Sequence, residues 1–144
     1  MSDVGPDADG WLFLTSAAGE TPIIARVRAQ PPSEVEREEN PDLVVIRWPF
    51  EAEAGAFPGE DLLAEMTAFE EQLFAAMDHD GWGTGVAVIT ANGAREWRIY
   101  TQDFERFQEG LNEALAGAAP YPLEFATFED PDWTAYTELT RGTA

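Results

Sequence analysis

The chain of 144 residues has no cysteine and no lysine, and histidine occurs once, at position 79. Without cysteine, disulfides, thiolate nucleophiles and cysteine zinc sites are excluded. Without lysine, the eight basic residues are all arginine, set against 28 acids for a formal net charge of −20. Such a field repels nucleic-acid phosphates and anionic membranes, so direct nucleic-acid binding is not expected. It attracts cations or a basic protein partner, or it serves only as a solubilising surface. No apolar run approaches membrane-spanning length. The acidic N-terminus, Met1-Ser2-Asp3-Val4-Gly5-Pro6-Asp7, lacks a basic region followed by an apolar core, so a cytoplasmic location is expected.

What is present is ordinary for a folded protein. Hydrophobic residues make up 44% and aromatics 12%, so the acidity does not make this a disordered chain. Residues 1–9 read as a disordered polar tail, and 10–140 as a single domain.

The most informative stretch runs from Gly81 to Leu115. Asn92-Gly93 lies between two apolar-rich runs, and both central residues of a type I′ turn need positive φ, so 82–90 and 94–100 are predicted to form a hairpin. A two-residue turn there pairs Thr90 with Arg95, Val88 with Trp97 and Val86 with Ile99 on the core side. Ala87, Ile89, Glu96, Arg98 and Tyr100 take the opposite face. Thr101 or Asp103 caps a helix whose buried stripe is Phe104, Phe107, Leu111 and Leu115, with Gly117 as its stop.

Upstream, 11–14 and 22–28 read as strands joined by a turn, and 31–41 as an acidic solvated connector. Residues 43–48 are apolar nearly throughout, which suits a central strand ended by Pro49. After a loop over 51–58 the period changes. Leu62, Met66, Phe69, Leu73 and Met77 recur at helical spacing, with Leu63 and Phe74 widening the stripe and Glu60 and Asp61 in the first turn. Downstream, 121–128 reads as an edge strand with Pro122 near its start. Asp130-Pro131 opens a short C-terminal helix on which Trp133 and Tyr136 share one side.

From residue 42 the order is β-α-β-β-α-β. The fold class is therefore α+β, a ferredoxin-like sandwich with an added N-terminal β-hairpin and a short C-terminal helix. Two helices cover one sheet face and leave the other partly open, with the hairpin either extending the sheet or folding over that face.

At Gly93-Ala94-Arg95-Glu96-Trp97-Arg98-Ile99-Tyr100-Thr101, and again at Asp130-Pro131-Asp132-Trp133-Thr134-Ala135-Tyr136, within a likeness that extends from Trp11 to Tyr136, the chain resembles an uncharacterised bacterial family, domain-of-unknown-function family 695. Members sometimes occur fused to a domain similar to ribonuclease E regulator B, a small acidic α+β inhibitor. The resemblance implies the same fold class and no established catalytic residue; from the residues themselves, no metal or cofactor is expected.

Little chemistry is legible beyond this. His79, flanked by Asp78 and Asp80, reads as a surface residue near a helix end. The serines fall in a tail, a turn and a loop, where no Ser-His-Asp set assembles. Neither aspartate-rich run has the ligand pattern of a calcium loop, and Gly81-Trp82-Gly83-Thr84-Gly85 lacks the lysine and spacing of a phosphate loop. Arginine is more suggestive, because Arg26, Arg28, Arg47, Arg95 and Arg98 fall on strands. If Arg26, Arg28 and Arg98 reach one open face with Arg47, Trp48, Glu96 and Tyr100 nearby, they form a basic spot able to hold a carboxylate or phosphate. Alternatively, glutamates such as Glu96 and Glu124 neutralise them across strands. The expected function is a non-enzymatic regulatory or interaction module that binds a basic protein or a small ligand. The alternatives are a small enzyme using carboxylates and arginine on that face, and a homodimer joined through it.

Overall fold

Strands that are apolar on one face must bury it against something, and here helices on one side supply most of the cover. The computed structural model describes residues 11–16, 23–50, 60–91, 93–116 and 121–141. The elements are β1 (Trp11–Ser16), β2 (Ile23–Arg28), α1 (Glu34–Glu39), β3 (Asp42–Pro49) and α2 (Glu60–Asp80), then β4 (Thr84–Ala91), β5 (Ala94–Thr101), α3 (Phe104–Ala114), β6 (Glu124–Glu129) and α4 (Thr134–Arg141). The expected tail, the turn after β1, the loop over 51–58, Asn92 and the stop at Gly117 lie outside the described residues.

The strands form one six-stranded sheet in the order β1-β2-β4-β5-β3-β6, each antiparallel to its neighbours. From β3 onward this arrangement is consistent with the ferredoxin-like split expected from the sequence. The N-terminal hairpin extends the sheet through β2–β4 pairing. As suits its apolar sequence, β3 is an interior strand paired on both sides, between β5 and the edge strand β6.

The α2 stripe (Met66, Phe69, Leu73, Met77) meets Val44, Ile46, Trp48, Val88, Trp97 and Ile99 from the sheet and Phe107 and Leu111 from α3. On the opposite face a smaller cluster joins Ala25, Val27, Leu43, Val86, Ala87 and Tyr100 to Trp133 and Tyr136. That face is only half covered.

Three expectations need correction. The connector before β3 contains α1, because Ser33 accepts from the Glu36 amide at 3.1 Å and caps a short helix. The β4–β5 register holds for Thr90–Arg95 and Val88–Trp97, but a bulge between Gly85 and Ala87 puts Gly85, not Val86, opposite Ile99. The extra residue breaks the alternation, so Val86 joins Ala87 in the smaller cluster. Finally, α4 starts at Thr134 rather than Pro131, after a turn closed by the Trp133 amide donating to the Asp130 carbonyl at 3.0 Å.

Gly110 is where α3 approaches most closely, since a Cβ there would lie 2.2 Å from a ring carbon of buried Trp82. Helix propensity alone would make Gly110→Ala stabilising by about 1 kcal/mol. Overpacking against Trp82 instead predicts a net loss of about 1–3 kcal/mol in urea denaturation. A gain in stability would contradict this packing.

Candidate functional site

Two polar centres fix the sheet faces. On the helix side, Glu70 projects from α2 into the core and is only 7% exposed. Arg26 ion-pairs with its Oε2, while the Arg95 guanidinium at 3.0 Å and the Trp97 indole N–H at 2.9 Å donate to Oε1. Arg95 also donates to Thr90 Oγ1 at 2.9 Å and lies 5.7 Å from the Trp97 ring centroid. Burial by itself would raise the Glu70 carboxyl, but the hydrogen bonds from Arg26 and Trp97 and the charges of Arg26 and Arg95 hold it below the ordinary glutamate value.

On the other side the centre is Asp130. Its Oδ2 accepts from the Tyr100 hydroxyl at 2.7 Å and the Ala135 amide at 3.0 Å, and its Oδ1 accepts from the Thr134 amide at 2.9 Å. It therefore caps α4 and ties that helix to β5 together. Burial opposes ionisation of Asp130, but these bonds outweigh it and keep the carboxyl below the usual aspartate value. Tyr100 is fully buried and stacks on Trp133 at 4.1 Å with an interplanar angle of 7°. Burial, then the bond to Asp130, pushes its phenol well above the ordinary tyrosine value. Trp133 sits at φ 54°, strained for a bulky side chain. The Tyr100 stack and a 2.9 Å bond from its indole N–H to the Asn40 carbonyl hold it there. Tyr136 donates to the Arg28 carbonyl at 2.6 Å.

The seven candidate residues therefore do not form one spot. Arg26 and Trp48 face the helices, Arg26 in the Glu70 cluster and Trp48 in the larger core. Arg28, at the end of β2, is held by Glu36 through two 2.8 Å bonds. Tyr100 is sealed beneath Trp133. The β2–β4 register, which sets Arg26 opposite Val88 and so on the Trp97 face, and the docking of α4 are what separate them. Arg47, Glu96 and Arg98 do come together, beside β6 on the half-covered face, in a groove of about 610 Å³ also lined by Leu43, Val45, Ala126 and Phe128. Arg47 is neutralised there by Glu124 at 2.8 Å. Arg98 makes no hydrogen bond or ion pair among the described residues, and its buried Nε has no acceptor.

The model of a family of unknown function, DUF695, matches residues 9–140. The chain belongs to the DUF695 family. The two runs that carry its resemblance to DUF695 now have a physical role. Arg95 and Trp97 meet at Glu70, Tyr100 and Asp130 bond each other, and Thr101 donates to the Trp82 carbonyl at 2.7 Å. In this DUF695 chain they are bracing residues. Comparison with curated proteins and with solved structures gives no match.

Sequence reasoning passed over Glu70 and Glu36. Glu70 stands four residues after Met66 and four before Phe74, inside the α2 apolar stripe, and a charge there signals a buried partner. The Ser33-x-x-Glu36 spacing was the corresponding sign for α1.

A Glu70→Gln variant is expected to lose about 3 kcal/mol at neutral pH, since Arg26 and Arg95 lose their buried counter-charge. The folded-state value of Glu70 lies below the unfolded one of about 4.3, so its contribution is full above that pH. It disappears as pH falls through the folded value. Denaturation from pH 7 to 2 should show this loss in the parent and not in the variant; parallel curves would contradict it.

Proposed function

We propose that this chain is a non-enzymatic interaction module that engages a basic protein partner along the β6 side of its sheet. The observation that carries the reading is β6 itself. It is the last strand of the sheet, all six of its residues are exposed, and Phe125 and Phe128 are each 51% exposed. Apolar surface of this kind, rimmed by Glu124, Glu129, Asp130 and Glu138, fits a partner with apolar anchors and positive charge. The net charge of −20 speeds encounter with such a partner and opposes self-association.

An enzyme would need converging acids in a deep pocket. The carboxylates held low here, Glu36, Glu70 and Asp130, are engaged by Arg28, by Arg26 with Arg95, and by Tyr100 with the α4 amides. Among the described residues no group of three or more acids and histidine is arranged to hold a metal. A second reading rests on Arg98, which makes no hydrogen bond or ion pair among the described residues; its guanidinium suits a small carboxylate ligand, although Glu96, Glu124, Glu129, Asp130 and Glu138 share the groove and oppose a further anion.

The test is a tagged pull-down from native lysate at low salt, comparing the parent with Glu124→Gln/Glu129→Gln/Glu138→Gln. A basic protein held by the parent, released at moderate salt and lost from the variant is the expected result. Equal retention by both proteins, or no specific protein at any salt, would overturn the reading.

A further inference from the structure

An edge strand leaves alternate backbone N–H and C=O groups directed away from its sheet, a template for another strand. Natural edges are commonly blunted by inward charges, proline or a covering element. Between its terminal glutamates, β6 carries Phe125, Ala126, Thr127 and Phe128, without charge or proline. Alternation sends Phe125 and Thr127 to the α3 side and Ala126 and Phe128 to the α4 side.

Each side of β6 borders an apolar hollow. Toward α3, a hollow of about 320 Å³ is walled by Val44, Phe104, Phe107 and Leu111 together with Phe125 and Thr127. Toward α4 lies the groove of about 610 Å³ bearing Leu43, Val45, Ala126 and Phe128. A seventh strand beside β6 would place successive side chains alternately over the two hollows. Charge marks one end. Glu129 closes β6 beside Asp42, Asp103, Glu105 and Glu109, with Arg106 among them. Burial, and then the charges of Glu129 and Asp103, raise Asp42 from the ordinary aspartate value, so a cation arriving there relieves repulsion.

We propose that β6 is a strand-addition site for an extended segment of a basic partner, its apolar side chains entering the two flanking hollows and an arginine or lysine docking at the Glu129 corner. Antiparallel pairing, the more stable ladder, puts that cation at the N-terminal end of the added segment. Main-chain bonds supply affinity and the alternating hollows supply specificity. A second copy of the chain is disfavoured by its own charge of −20. The inference rests on the interaction-module reading and specifies its mode.

The experiment uses the full chain and synthetic peptides of ten residues, mixing valine, isoleucine and threonine with two arginines at the N-terminal or the C-terminal end. Binding is followed by calorimetry at low salt. The N-terminal-arginine peptide is expected to bind about tenfold tighter than its counterpart. Methylating alternate backbone nitrogens of that peptide should abolish binding in one phase and spare it in the other. Equal binding by both methylated phases would overturn strand addition while leaving the acidic interaction module standing. Failure of every peptide to bind would also overturn strand addition, while the interaction-module reading would still be decided by the pull-down. A dimer of the chain that the peptide dissociates would assign the edge to a second copy and overturn the basic-partner assignment.

Discussion

The bond from Tyr100 to Asp130 ties together the two runs on which the resemblance to DUF695 rests, and much of the second sheet face depends on it. Through Asp130 it reaches the first amides of α4, and through the stack on Trp133 it keeps that residue in a left-handed conformation it would not otherwise adopt. The consequence is positional. With α4 drawn over Tyr100, Val86 and Ala87, the β6 end of the same face stays uncovered.

Charge is arranged in the same spirit. A chain with few cations places several of them where an isolated carboxylate would be costly. Arg26 and Arg95 serve buried Glu70 and Arg28 serves part-buried Glu36, whereas Arg47 and Glu124 form a solvent-exposed pair. Arg guanidinium suits these roles because its donors are fixed in a planar fork. The remaining acids keep an unbalanced field at the surface, and the Glu129 corner next to an unblunted edge strand is where that field meets apolar area.

The strands, the β4–β5 hairpin and the long helix were legible because their signals are local: alternation, an Asn-Gly turn, a 3.6-residue stripe. The smaller cluster was less so. Whether Arg26 and Arg98 share a face depends on the β2–β4 register, which sets Arg26 opposite Val88 and so on the Trp97 side, while the place of Val86 depends on a bulge that nothing in the alternation of 84–91 announces. The start of α4 was misplaced because Asp130-Pro131 reads as a helix opening. Burying Trp133 instead required a turn first, with Asp130 still capping the helix from four residues upstream. The seven candidate residues were chosen by type and strand membership, and those criteria cannot separate Arg26, facing α2, from Arg98, facing the groove. The exposed edge was partly visible, since Pro122 favoured an edge strand and the two phenylalanines three apart must fall on opposite faces.

The most direct test of this account is a double-mutant cycle on urea denaturation with Tyr100→Phe, Asp130→Asn and the pair. If the hydroxyl–carboxylate bond is the tie between the signature runs, the two substitutions should couple by about 1–2 kcal/mol. Losses that add to within about 0.3 kcal/mol would mean that Tyr100 and Asp130 stabilise the fold independently, and the central tie described here would be wrong.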